Sequence, residues 1–135
     1  MEVKQTEMKK RVFISFDFDH DEDLRNLLVG QAKNPDSPFE ISDWSLKEPF
    51  SGDWKDKVRI RIRKTETVIV ICEHYTDTAS GVSEELSTAQ EEKIPYFLLW
   101  GRKEGIVKKP KTALPSDKIY NWTWDNLKHL IEGQR

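Results

Sequence analysis

The stretch ETVIVIC, residues 66–72, decides how the rest of the chain is read. From Val68 to Cys72 every residue is apolar, and Val68, Ile69, Val70 and Ile71 are all β-branched. A strand with no polar alternation has no solvent face, so it suits the centre of a parallel sheet covered on both sides. Parallel neighbours need long crossovers, usually helices, and the sequence on either side supplies them.

Upstream, DWKDKVRIRIRK (53–64) is ambiguous: Val58, Ile60 and Ile62 alternate as in a strand, while Trp54, Val58 and Ile62 recur as on a helix. A capping serine, Ser51, precedes it and a plainer strand follows at once, so the segment is predicted helical. Further upstream, FEIS (39–42) reads as a brief strand followed by a polar loop carrying Pro49 and Gly52. DEDLRNLLVGQAK (21–33) reads as a helix with Leu24, Leu27, Leu28 and Ala32 on one face, ended by Pro35 and Pro38, and RVFISF (11–16) as the first strand. Downstream come a helix SEELSTAQEEK (83–93) with Leu86, Ala89 and Gln90 inward, a strand IPYFLLW (94–100), and a Lys- and Pro-rich loop (101–117). KIYNW (118–122) is a fifth strand, and TWDNLKHLIE (123–132) a closing helix capped by Thr123. The alternation predicts a flavodoxin-like three-layer α/β fold with a five-stranded, mostly parallel sheet in the order 2-1-3-4-5. Ligands bind such sheets outside the carboxyl ends of the strands. Residues 15–20, 43–54, 73–85 and 101–117 are therefore where function is expected.

The 135 residues fit one domain, predicted as a polar arm (1–10) and a single folded unit (11–135). The 22 basic residues nearly cancel the 24 acidic ones, which argues against a nucleic-acid partner. Cys72, the lone cysteine, has no internal disulfide partner and reads as a core residue in a reducing compartment. No apolar run approaches the ~18 residues needed to span a bilayer, and MEVKQTEMKK lacks the apolar segment of a signal peptide, so the expectation is a cytoplasmic protein away from the membrane.

The first strand ends in Asp17-Phe18-Asp19, the pattern in which haloacid-dehalogenase phosphatases carry a nucleophile and its acid partner. The downstream motifs do not follow: Gly52-Asp53-Trp54-Lys55-Asp56 imitates the acidic one but precedes the central strand. A calcium loop starting at Asp17 fails at its sixth position, Glu22 where Gly is needed, and at its twelfth, Leu28 where Glu is needed. A receiver-like phosphoacceptor lacks an aspartate after the central strand, where Glu73-His74 stands. Asp19, Asp21 and Asp23 are expected to cap and favour a helix start. His20, His74 and His129 lack metal-ligand spacing, so no metal site is predicted. Lys55, Lys57, Arg59, Arg61, Arg63 and Lys64 read as the solvated face of the helix they lie on. Glu84 and Glu85 stand near a helix start, where a carboxylate ordinarily only complements the dipole.

As an ordered set, VFISFDFDHD, the loop ISDWS, the helix start from Ser51 to Trp54, TVIVIC, and Thr76-x-x-x-Ser80-Gly-Val-x-x-Glu85-Leu with Ala89 resemble the TIR-like domains of bacteria and archaea, in particular those of the Thoeris antiphage defence system. The resemblance covers residues 11–125. Gly81 stands where the family commonly has Trp. The resemblance implies cleavage of the nicotinamide–ribose bond of NAD+, taken as substrate with no separate cofactor, and formation of a cyclic ADP-ribose-type signal. It makes Glu85 the catalytic carboxylate, expected to keep a low pKa beside helix N–H groups. Glu84 would point about 100° away around the helix. The resemblance also places Ser15, Phe16, Asp17, Ser45, Trp54, Thr76 and Ser80 at the substrate pocket, with Trp44 and Trp54 offering faces for a base. It assigns the 43–52 loop to covering the pocket or to self-association, and it implies a phage-derived trigger. The alternative left open is a non-catalytic TIR-like interaction module.

Overall fold

The computed structural model describes residues 9–45, 53–102 and 105–134. The strands are β1 (Lys10–Ser15), β2 (Phe39–Trp44), β3 (Thr67–Cys72), β4 (Tyr96–Trp100) and β5 (Ile119–Asn121). The helices are α1 (Glu22–Ala32), α2 (Trp54–Arg63), α3 (Ser80–Glu91) and α4 (Trp124–Ile131), with a 3₁₀ turn at Thr76–Thr78. All pairings are parallel and the order is β2-β1-β3-β4-β5, as the alternation predicts. All six residues of β3 are buried, and its two faces point into two separate cores. Ile69 and Ile71 meet Leu24 and Leu28 of α1 and Leu127 of α4 on one side. Val68, Val70 and Cys72 meet Trp54, Val58 and Ile62 of α2 and Val82 and Leu86 of α3 on the other.

The ambiguous segment is the helix α2. Trp54, Val58 and Ile62 are buried while Ile60 is 53% exposed, so the four-residue recurrence wins over the alternation. Asp53 takes the N-cap position; Ser51, the expected cap, lies outside the described residues. The basic face of α2 is neutralised by pairing. Arg59 binds Glu91 and Glu92, Arg63 binds Glu92, and Arg61 reaches Asp43. Thr123 caps α4 as expected, accepting from the Asn126 N–H. The described part of 101–117 holds no helix or strand. It is fastened to the carboxyl edge of β3 through Gly101 N–H to Cys72 O and Lys108 N–H to Glu73 O.

Three expectations are corrected. Leu27 is 55% exposed, because the buried stripe of α1 is the narrower set Leu24, Leu28 and Ala32. Helix α3 begins three residues before the predicted start, at Ser80. Asp21 is the N-cap residue of α1, yet its side chain makes no capping bond. It is fully buried instead, against Glu73 and 3.3 Å from Arg102 Nη2. Neither Asp21 oxygen meets an ordinary hydrogen-bond donor. Burial, reinforced by the neighbouring Glu73, pushes the Asp21 carboxyl up to about 8.

Two outcomes follow from this packing. A Cβ at Gly101 would stand 2.7 Å from both Ile71 Cγ2 and Leu24 Cδ1. Gly101→Ala should therefore destabilise the fold by about 1–3 kcal/mol in urea unfolding, the usual cost of overpacking. The second concerns Asp21. Its folded-state pKa lies above its unfolded value, so its contribution to stability is complete below about pH 4 and is lost as the pH rises through about 8. Asp21→Asn should remove that slope, gaining stability relative to the parent protein between pH 5 and pH 9.

Candidate active site at the carboxyl edge of the sheet

Alternation along β1 turns Phe13 toward α2 and α3, and Ser15, two residues on, points the same way. In β2 a register shift between Val12 and Phe13 of its partner passes over Ser42, setting Trp44 opposite Ile14. Ser45 follows, and its N–H bonds to Ile14 O at 3.0 Å. Two serine hydroxyls thus end adjacent strands beneath α3.

Glu85 comes down onto them. Its Oε1 accepts from Ser15 Oγ at 2.7 Å and from Ser45 Oγ at 2.6 Å. Ser45 Oγ in turn accepts from the Phe16 N–H at 3.0 Å, and of the two acceptors for its own proton Glu85 Oε1 at 2.6 Å is much nearer than Ile14 O at 3.5 Å. The carboxylate is 2% exposed. Burial pushes its pKa up to about 7, against the pull of the Ser45 and Ser15 hydrogen bonds and with a small upward push from Asp43. The expected low pKa is therefore wrong. Because α3 starts at Ser80, Glu85 sits beyond the first turn, where the helix dipole fades, and desolvation decides instead. Glu84 points elsewhere, as its position on the helix requires, and pairs with Lys55 at 3.6 Å.

Of the predicted pocket residues, Ser15 and Ser45 bond to Glu85, while Phe16 joins them only through its N–H, its ring packing in the core on the α1 face. Trp54 is 4% exposed and fills the core between α2 and the sheet, although it also lines a narrow crevice beside Glu85 with Phe13, Trp44, Val58 and Arg61. Thr76 is buried as a turn clamp, its Oγ1 accepting from the Glu73 N–H at 2.7 Å. Ser80 is exposed at the first residue of α3. Asp43 pairs with Arg61 at 3.2 Å; residues 46–52, most of the loop expected to cover the pocket or self-associate, lie outside the described residues.

Asp17 turns to a second group of residues that the sequence reading did not assemble. Its Oδ2 lies 2.7 Å from His20 Nδ1. The His20 ring stacks on Tyr75, with centroids 3.9 Å apart and planes 12° from parallel. The Tyr75 N–H bonds to the Glu73 carboxylate, and Arg102 holds Asp23 and the His20 carbonyl. The available signal was position: Asp17 to His20 follow the first apolar run and Glu73 to Tyr75 follow the central one. Their loops meet over the gap between β1 and β3, where one crossover leaves for the α1 face and the next for the α3 face. That gap is the topological switch point of the sheet. Among the described residues, no group of three or more His, Cys, Asp or Glu side chains is placed to hold a metal ion, and no helix is long and apolar enough to cross a membrane.

Among curated proteins nothing matches this chain. Among solved structures it is similar to a prokaryotic SEFIR domain, with a TM-score of 0.57 and 20% sequence identity over 91% of this chain and 92% of the other. That likeness is one of fold. Residues 13–104, more than half of the chain, match the family described as Thoeris protein ThsB, TIR-like domain. The matched span carries Glu85 with both of its serine partners, and the chain belongs to this family of antiphage-defence TIR-like proteins.

Proposed function

We propose that this protein is a cytoplasmic enzyme that cleaves the nicotinamide–ribose bond of NAD+ and converts the ADP-ribosyl group into a cyclic ADP-ribose-type signal during antiphage defence. The observation that carries the proposal is the buried Glu85 carboxylate, held at one oxygen by Ser15 and Ser45 at the carboxyl end of β1. Nicotinamide is already cationic in NAD+, so its departure needs no acid. What must be supplied is a negative charge beside the ribosyl cation and a grip on its hydroxyls. A carboxylate removed from water supplies both more strongly than an exposed one. With both hydroxyls directed to Oε1, Oε2 is the oxygen assigned to the ribose. NAD+ is substrate in this scheme, and no further cofactor is invoked.

The same burial gives the trigger a physical role. A carboxylate 2% exposed, beside a crevice walled by Trp44 and Trp54, must be uncovered before a dinucleotide reaches it. A phage-derived partner, or self-association through residues 43–52, is the proposed means. The competing reading, a non-catalytic interaction module, draws on the same observation: the two serines satisfy Glu85 as they would a purely structural carboxyl.

The readings separate when purified protein is incubated with NAD+, with and without lysate from phage-infected cells, and free nicotinamide is measured by mass. Glu85→Gln keeps the size of the side chain and removes its charge, so nicotinamide release should fall by at least ~100-fold while circular dichroism stays native. Release that survives this substitution would move the chemistry elsewhere. The active form is the ionised one, so release should rise with pH through about 7. The Ser45 hydrogen bond favours that ionised form. Ser45→Ala should therefore move the rise to higher pH, and a profile that stays in place would mean that Ser45 does not tune the catalytic group.

A further inference from the structure

The Asp17–His20 pair has a geometry that its surface position does not require. His20 Nδ1 lies 2.7 Å from a carboxylate oxygen, which places the proton on Nδ1 and leaves Nε2 as the basic nitrogen. The carboxylate is itself fixed. Asp17 is 9% exposed, its Oδ1 accepts from the Asp19 N–H at 3.1 Å, and its carbonyl accepts from the His20 and Asp21 N–H groups at 3.1 and 2.8 Å. The imidazole plane is held from a second side by the Tyr75 ring at 3.9 Å, and Tyr75 is braced edge-on by His74. Arg102 pins the His20 carbonyl. An imidazole oriented by a buried carboxylate through Nδ1, with 43% of its side chain exposed, is the arrangement of a general base.

Its position suits the reaction proposed above. From Glu85 the contacts run through Ser45 Oγ to the Phe16 N–H, and Asp17 is the next residue. Ser15, which bonds to Glu85, and Asp17, which holds His20, are thus two residues apart at the carboxyl end of β1.

We propose that His20, oriented by Asp17, is the general base that deprotonates the hydroxyl capturing the ADP-ribosyl group at Glu85. The proposal rests on the NAD+-cleaving reading and adds a second catalytic residue to it. Nicotinamide departs with both electrons of the C1′–N bond as a neutral molecule. A hydroxyl oxygen, of the substrate or of water, forms the new C1′–O bond, and its proton passes to His20 Nε2 and from there to solvent. Cleavage and capture thus use different groups. The charges facing His20 are those of Asp17, Asp19 and Glu73, and they raise its pKa, the hydrogen bond to Asp17 most of all.

The division gives an experiment that distinguishes this proposal from the one beneath it. Exchange of labelled nicotinamide into NAD+ needs cleavage and its reversal but transfers no proton from a hydroxyl, whereas cyclic product and ADP-ribose need capture. Purified protein with phage-infected lysate is given NAD+ and labelled nicotinamide, and both outputs are followed. His20→Gln keeps an N–H that reaches Asp17 but has no basic nitrogen. It should retain exchange within ~3-fold while capture falls at least ~100-fold, and Glu85→Gln should lose both. Because Asp17 raises the His20 pKa, Asp17→Asn should shift the acid limb of the capture-to-exchange ratio to lower pH. A His20→Gln variant that keeps the parent ratio overturns the base assignment alone. A parent protein with neither exchange nor nicotinamide release overturns the enzymatic reading, and this assignment with it.

Discussion

β3 has no side that water can reach. Its residues Thr67 to Cys72 are all buried, between α1 and α4 on one face and α2 and α3 on the other. Burying the side chains of a central strand on both faces is worth roughly 1.5–3 kcal/mol for each large apolar one, so the chain must send helices to both sides of the sheet. The split follows at once. The connection after β1 goes to one face, the connection after β3 to the other, and a gap opens between the two strand ends. Everything proposed here about chemistry stands at that gap or beside it. The same constraint that builds the core therefore fixes where a ligand can enter.

Polar groups accumulate at this edge at a cost. Asp21, Glu73 and Glu85 are each 2% exposed or less. Burying carboxyls in this way is unfavourable unless hydrogen bonds or partners compensate. Each is compensated differently. Glu85 has two serine hydroxyls, Asp21 has the Arg102 guanidinium 3.3 Å away, and Glu73 receives the Tyr75 N–H. Charge is tolerated unequally as a result. The bonds to Glu85 favour its ionised form and hold its pKa near 7, while Asp21, lacking such donors, stays protonated to about 8. Perturbed carboxyls of this kind gather at functional sites, where stability is traded for electrostatic reach.

Periodicity made most of the fold legible. Fully apolar β3, the four-residue recurrence in α2 and the Thr123 cap all turn on residues close together in sequence, so local chemistry decides them. Leu27 failed because an amphipathic stripe of that width has an edge, and which residue falls on the edge depends on how α1 tilts against the sheet. The start of α3 was missed because Ser80-Gly81 reads as loop chemistry, whereas packing of Val82 against the α2 side carries the helix back over it. The site was half legible. Ser15, Phe16, Ser45 and Glu85 came from matching an ordered set of motifs to a family; Ser15 and Ser45 meet Glu85, whereas the Phe16 ring packs on the other face of the sheet. The pKa of Glu85, the burial of Asp21 against Glu73, and the stack of His20 on Tyr75 depend on desolvation and on side chains far apart in the chain. No local spacing encodes those.

The histidines show the difference most clearly. His20 and His129 are alike in the sequence in lacking metal-ligand spacing. His129 lies on α4, exposed in its last turn, and His20 is also exposed. What separates them is that β1 ends beside β3, which brings Asp17 and Tyr75 to two sides of the His20 ring. An exposed imidazole gains little stability from such ordering, since hydrogen bonds at the surface compete with water and confined side chains lose rotamer freedom. An arrangement that fixes a tautomer and a ring plane at the switch point of the sheet therefore has more to offer to chemistry than to folding.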